Sequence, residues 1–170
     1  MAIGIRRLGE SDRTEEFDCG DESLNRYLHL HAWQNQQKSS IGVTYIAVEE
    51  SASQMPLGYF TLANASAPLS QFPKKIVRGL PAYDLPLLLL ARLAVDRRFA
   101  DRGLGRILLG EACRIAALVA TESGCRGVIT DAYREKIAWY ARFGFIPLEE
   151  ETEARTIRMF LDIRTIRAAL

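Results

Sequence analysis

The chain has 170 residues, 48% of them hydrophobic and 25% charged, with a formal net charge of +1. That is the balance of a globular protein long enough for one domain with its own core, and it carries no charge excess that would by itself name a nucleic-acid partner. Cys19, Cys113 and Cys125 are odd in number, widely spaced and without a C-x-x-C pair, so neither a disulfide framework nor a metal site is expected. The start, Met1-Ala-Ile-Gly-Ile-Arg-Arg-Leu8, lacks the apolar region of a signal peptide. The longest apolar run, Leu85 to Leu93, is interrupted by Arg92 and falls far short of the roughly 20 residues of a membrane span. A cytoplasmic protein without a membrane partner is expected.

In chain order, Ile3 to Leu8 alternates apolar and polar residues and predicts a first strand. Phe17-Asp-Cys-Gly-Asp-Glu-Ser23 is a turn-rich entry to a helix over Glu22 to about Gln36, where Leu24, Tyr27, Leu28, His31 and Ala32 recur at helical spacing. Val43–Glu49 and Leu57–Ala63 predict two strands of an antiparallel hairpin joined by a loop over Ser51–Pro56. Ser66 to Asp84 carries three prolines and Gly79, and reads as an excursion with at most one short helix. Leu87 to Val95 is apolar on both faces, so it belongs in the middle of a sheet. A long helix runs from Leu104 to near Gly124, marked by Ile107, Leu108, Ala112, Ile115, Ala116 and Val119. Gly127–Thr130 is a short buried strand, Lys136 to Phe143 is helical, and Thr156–Asp162 is a last strand. These elements make a single α/β or α+β domain.

Between the central strand and the long helix lies Asp96-Arg-Arg-Phe-Ala-Asp-Arg-Gly-Leu-Gly-Arg106. A strand that delivers a glycine turn into a helix N-terminus is a place to hold phosphate, because first-turn N–H groups lack intrahelical partners and the helix dipole favours negative charge. Arg97, Arg98, Arg102 and Arg106 add fork-shaped cationic donors. The alternative for Gly103 and Gly105 is a plain helix cap, against which the arginines alongside and the buried strand before them favour phosphate; Arg97 would serve equally as a solvated charge.

With these residues the chain resembles the GNAT acetyltransferases over its whole length. Two segments carry the likeness. Leu93-Ala-Val-Asp-Arg-Arg-Phe-Ala-Asp-Arg-Gly-Leu-Gly105 is similar to the family's pyrophosphate loop, Q/R-x-x-G-x-G/A, and Ala138-Trp-Tyr-Ala-Arg-Phe-Gly-Phe145 is similar to its late F-Y-x-x-x-G-F segment. The loop departs from the pattern at its first position, where Ala100 replaces Gln or Arg; Arg98 or Arg102 would then supply the missing side-chain contact. The resemblance implies the GNAT fold in one domain over residues 1–170: a mixed central sheet with an antiparallel N-terminal hairpin, a splayed central strand and flanking helices. It implies acetyl-CoA, held by Leu93, Ala94 and Val95 through their backbone, by Arg98, Asp101, Arg102, Gly103, Leu104, Gly105 and Arg106 around the pyrophosphate, and by Phe143.

A closer resemblance is to the GNAT toxins of bacterial toxin–antitoxin pairs. It rests on Phe17-Asp-Cys-Gly with Leu24-Asn-Arg-Tyr-Leu28, on Gly58-Tyr-Phe-Thr-Leu62, on Leu88-Leu-Leu-Ala-Arg-Leu-Ala-Val-Asp96, and on Asp131-Ala with Trp139-Tyr140. It implies acetylation of the α-amino group of aminoacyl-tRNA, inhibition of translation, a ribbon-helix-helix antitoxin as partner, and a homodimer.

Tyr140 is the catalytic candidate, with Tyr133 second. A phenol of pKa about 10 stays protonated at neutral pH and can donate to a departing thiolate; among aromatic neighbours it would otherwise be core. No His or Glu stands out as a base, since His29 and His31 both lie on the first helix. That suits an α-amine, whose pKa of about 7.7–8.0 leaves much of it neutral, better than a lysine amine near 10.4. Two basic knots, Lys74, Lys75 and Arg78, and Arg155, Arg158, Arg164 and Arg167, are either solvated faces or contacts for tRNA phosphates. Two rival readings stay open: a GNAT enzyme acting on a polyamine, drug or protein lysine, and a non-catalytic acyl-CoA binder.

Overall fold

A computed structural model describes residues 1–149 and 153–170. The strand order is β1-β2-β3-β4-β5-β7-β6, which puts β4 (Leu85–Val95) in the middle as its apolar character requires. The chain forms two compact units, Met1–Ala63 with Ala91–Ala112, and Asn64–Leu90 with Cys113–Leu170; β3, β4 and the long helix each run from one into the other.

In the first unit β1 (Ile3–Arg7) pairs antiparallel with β2 (Val43–Glu49), and β2 with β3 (Ala52–Ala67), Tyr45 lying opposite Phe60. β3 is far longer than Leu57–Ala63, and the loop expected over Ser51–Pro56 belongs to it from Ala52 onward. The register shifts at Val48, opposite Pro56. A bulge is where a strand tolerates a residue without an N–H, so proline did not end the ladder.

The helix predicted from Glu22 reaches Ser39, alternating α1 (Glu22–Arg26), a π turn Tyr27–His31, α2 (Ala32–Gln34) and a π turn Asn35–Ser39. Asp21 caps it, accepting from the Ser23 and Leu24 amides. One face fills the core with Tyr27, Leu28 and Ala32 against Phe17, Ile46 and Tyr59. The Tyr59 hydroxyl donates to the Leu24 carbonyl at 2.7 Å, and the Arg92 guanidinium lies 3.7 Å from the centre of the Tyr27 ring.

In the second unit the excursion is a 3-10 turn, Leu69–Gln71, and a short helix α3 (Lys74–Val77). Phe72 and Ile76 pack with Leu85, Leu87, Ile129 and Phe160, the Phe72 and Phe160 rings meeting edge to face at 5.1 Å. β5 (Gly127–Tyr133) runs three residues past its expected end, because all seven of its residues pair antiparallel with β7 (Thr156–Asp162). Two elements had no counterpart in the sequence reading: β6 (Ile146–Pro147), and a last helix over Ile163–Ala169. The first is too short for periodicity; the second begins on Asp162, which caps it by accepting from the Arg164 amide. Before both in chain order, α4 (Leu104–Glu122) and α5 (Ile137–Ala141) fall where helical spacing put them, so the last helix is α6. α5 is shorter than Lys136–Phe143 because a 3-10 turn, Arg134–Lys136, precedes it. Among the described residues no helix is long and apolar enough to cross a membrane.

Candidate active site

Two groups of residues carry the candidate chemistry, one in each unit. In the first, β4 ends at Val95 and the chain turns through Asp96 into a 3-10 turn, Arg97–Phe99. Asp96 is fully buried. Its carboxylate accepts from the Arg98 amide and from Arg98 Nε and Nη2, each at 2.9 Å, and from the Asp18 amide at 3.1 Å. Burial pushes the Asp96 carboxyl up, but the Arg98 side chain and the amides outweigh it and hold it below the usual carboxylate range. Asp18 answers from the other side. Its carboxylate accepts from the Gly20 amide and the Asn25 side-chain amide and pairs with Arg97, which together lower it as well. The Arg97 amide donates to the Asp18 carbonyl, and the Cys19 amide to Asn25 Oδ1. The Phe17-Asp-Cys-Gly segment and Asn25 are therefore a latch on the start of the phosphate-type loop.

Beyond the latch, Asp101 (φ +60°) and Gly103 (φ +80°) turn the backbone left-handed. A Cβ on Gly103 would meet nothing within 4 Å, so that glycine answers to backbone conformation and to open access. α4 closes its first turn with the Ile107 amide on the Gly103 carbonyl at 3.2 Å. Leu104 is buried beneath this turn, while Asp101, Arg102, Gly103 and Arg106 are exposed and Gly105 is partly so. Arg102 lies 5.5 Å over the Phe99 ring. A nineteen-residue helix thus begins just after an exposed glycine, with the exposed Arg102 and Arg106 beside its first turn. This donor set fits a diphosphate. Arg98, expected on the phosphate, instead spends its guanidinium on Asp96.

Leu93, Ala94 and Val95 form the end of β4, and Gly58 in β3 makes room for them. A Cβ on Gly58 would stand 3.0 Å from the Ala94 carbonyl oxygen, 2.8 Å from Leu108 Cδ1 and 3.4 Å from Leu104 Cδ2. The Asp96 amide donates to the Leu57 carbonyl at 2.9 Å. Gly58 thus sets how closely β3 approaches both β4 and the root of α4.

In the second unit Tyr140 sits on α5, 7% exposed. Its ring meets Trp139 at 5.0 Å and Phe145 at 5.2 Å, and Trp139 meets Phe143 at 4.9 Å. Tyr140 is at once the expected hydroxyl and a member of an aromatic cluster. Burial pushes its phenol up to about 12, offset in part by a hydrogen bond with Thr130. Thr130 also donates to the Leu90 carbonyl at 2.8 Å, just past the parallel pairs Leu88 to Val128 and Leu89 to Ile129. A side chain takes the carbonyl there. Tyr133 ends β5 with Arg155 5.1 Å from its ring centre. His29 Nε2 is 2.9 Å from the Phe17 carbonyl oxygen, so that imidazole belongs to the first unit's packing.

The sequence reading missed the roles of Asp96, Asp18, Asn25, Gly58 and Thr130. Asp96 and Asp18 each carried a local signal, an acidic residue two positions before an amide it caps. Asn25 acts six and seven residues away, on Cys19 and Asp18, and Gly58 and Thr130 act through contacts distant in sequence.

The sheet order and the glycine loop are those of a GNAT-fold N-acetyltransferase. No protein-family model matches the chain. It is 30% identical over 141 residues to the tRNA-acetylating toxin of Mycobacterium tuberculosis, covering 82% of each. Its fold matches AtaT complexed with acetyl-methionyl-tRNAfMet at a TM-score of 0.87 and 28% identity, over 99% of both chains. It matches a tyrosine-to-phenylalanine variant of AtaT, bound to the C-terminus of the antitoxin AtaR and acetyl-CoA, at 0.80 and 26%, over 98% and 97%. The chain belongs to this family of GNAT toxins, the tRNA-acetylating toxins.

Proposed function

We propose that this chain is a cytoplasmic, single-domain toxin that transfers the acetyl group of acetyl-CoA to the α-amino group of an aminoacyl-tRNA and so inhibits translation. The observation that carries the reading is the loop from Asp96 to Arg106: a buried carboxylate locks its entry, and Arg102, Gly103 and Arg106 are exposed around the first turn of α4. The known relatives' complexes with acetyl-methionyl-tRNA, acetyl-CoA and an antitoxin support it. A ribbon-helix-helix antitoxin and a homodimer belong to the same reading.

When bound, acetyl-CoA supplies an acetyl group activated as a thioester. The amides of Gly103, Leu104, Gly105 and Arg106 hold its diphosphate, with Arg102, Arg106 and the Asp101 backbone at the rim. Leu93, Ala94 and Val95 hold the pantetheine arm with main-chain groups, and Phe143 packs on it. Arg98 acts through Asp96 as a strut for the loop. Tyr140 keeps its proton at every physiological pH, because burial has moved its phenol to about 12, and gives it to the sulfur as the C–S bond breaks. The new C–N bond forms from the amine lone pair, and the amine's surplus proton leaves to water. No strong base is needed for an α-amine, whose pKa lies at about 7.7–8.0 before esterification lowers it further.

Incubation with labelled acetyl-CoA and charged tRNA tests the reading. Label recovered as N-acetyl-aminoacyl-tRNA is expected. Label absent from every aminoacyl-tRNA, with a polyamine or protein lysine acetylated instead, rejects the substrate.

A further inference from the structure

The two basic knots lie about ninety residues apart in sequence, but the second unit joins them in one cavity. The cavity, about 240 Å³, is lined by Lys75 from α3 and by Asp162, Arg164 and Thr165 from the end of β7 and the start of α6, over an apolar floor that includes Phe160. Asp162 is the one acid among the lining residues, and it is heavily claimed. Arg164 donates to it at 2.8 Å, and Arg126 approaches it at 3.4 Å from beneath. Arg126 and Asp162 are largely buried, and Arg126 Nε has no hydrogen-bond partner, while its Nη2 donates to the Ile76 carbonyl. With Lys75 on the same cavity, one carboxylate faces three cations. Lys75, Arg164 and Thr165 are exposed at the rim of the cavity, so an incoming anion meets an excess of positive charge there.

The other cations of the two knots do not line this cavity. Arg158 is neutralised by Asp131 through two bonds of 2.9 and 3.0 Å, and Arg155 covers Tyr133. Lys74, Arg78 and Arg167 stay exposed on the elements that bear Lys75 and Arg164 or next to them.

We propose that the cavity between α3 and the start of α6 is an oxyanion subsite that seats one phosphate of the RNA backbone, with Lys75, Arg164 and the Thr165 hydroxyl as its donors. It rests on the tRNA-acetylating reading above and adds where the RNA is gripped. The contact is to backbone and carries no base information, so it adds affinity and position without choosing the amino acid.

The test compares wild type with Lys75→Glu and with Lys75→Ala/Arg164→Ala, each first shown to have the wild-type denaturation midpoint. Uncharged tRNA binding is measured by fluorescence anisotropy between 50 and 200 mM salt, roughly the range over which phosphate contacts reveal themselves, and acetyl-CoA binding by calorimetry. The double variant is expected to bind tRNA about tenfold more weakly, with its salt slope reduced by about one, the share of a single phosphate, and acetyl-CoA affinity unchanged. Unchanged tRNA affinity and slope overturn the subsite, including the case in which the cavity serves an acidic segment of a protein partner. Weakened acetyl-CoA binding with unchanged tRNA binding also overturns it, since the phosphate would then be the coenzyme's. Failure of the parent reading looks different: the wild-type protein itself neither binds nor acetylates charged tRNA, and the subsite falls with it.

Discussion

Replacing Gly58 by alanine probes the link between β3 and the loop with a single methyl group. The new Cβ would sit 2.8 Å from Leu108 Cδ1 and 3.0 Å from the Ala94 carbonyl oxygen. Comfortable contacts between heavy atoms lie at about 3.5–4.0 Å, so the leucine must recede by about 0.7 Å and the carbonyl by about 0.5 Å. Leu108 is a side chain with rotamers to spare, but it is fully buried; Ala94 is backbone, tied through Asp96 to Leu57. Overpacking of this kind costs about 1–3 kcal/mol. Part of the strain moves Ala94 and the root of α4, the two groups proposed to hold the pantetheine arm and the diphosphate. A displacement of several tenths of an ångström there should weaken acetyl-CoA by about tenfold, given that a full ångström costs on the order of a hundredfold in a positioned site. Urea denaturation gives the first quantity and calorimetry with acetyl-CoA the second. A variant with wild-type stability and wild-type affinity would refute the claim that β3 sets the position of this loop.

Asp96→Asn keeps the shape and removes the charge that Arg98 and two amides share; urea denaturation should show a loss of about 1.5–3 kcal/mol, the usual range for hydrogen bonds to a charged group. Because the folded Asp96 carboxyl lies below its ordinary value, its stabilisation is complete above the unfolded pKa of about 3.9 and fades as pH falls through the lower folded value. Wild type should therefore lose stability more steeply than Asp96→Asn below about pH 4, and parallel curves would remove the carboxylate from the account. Tyr140→Phe should abolish most acetyl transfer, on the order of a hundredfold or more, while calorimetry shows acetyl-CoA still bound; with the phenol near 12, the wild-type rate should show no alkaline fall from Tyr140 up to about pH 10. A Tyr140→Phe protein that retains full turnover would make the tyrosine simple core. Gly103→Ala adds no clash but forces alanine to φ +80°; a cost of about 1 kcal/mol with weakened acetyl-CoA binding is expected, and unaltered binding would show that the turn does not shape the phosphate site.

How much of this was legible beforehand follows the range of the forces involved. Gly103, Gly105 and the apolar spacing of α4 announce themselves because a left-handed turn and a helix face are decided within a few residues. Tyr140 could be placed on a helix, but whether it was core or acid could not be settled by a pattern of aromatic residues, and the structure makes it buried and hydroxyl-bearing at once. Arg98 looked like a phosphate ligand from its neighbours in the chain and became a strut because its carboxylate partner is buried beside it. The π turns within Glu22–Ser39 and the reach of β3 past Pro56 each depend on one residue of offset in a ladder, which periodicity does not register.

Sequence alone determined most of the local units: the longer strands and helices with clear periodicity, where a glycine turn would meet a helix, and which side chains bore positive charge. Those properties are set by backbone conformation and by the alternation of apolar residues, both short-ranged. Tertiary structure alone decided that Asp18 and Asp96, 78 residues apart, share a hydrogen bond, that Gly58 limits the approach to Ala94, and that Lys75 and Arg164 line one cavity. Such contacts arise when burial of apolar surface brings distant segments together, and only then do the polar groups carried along find the partners that desolvation obliges them to have.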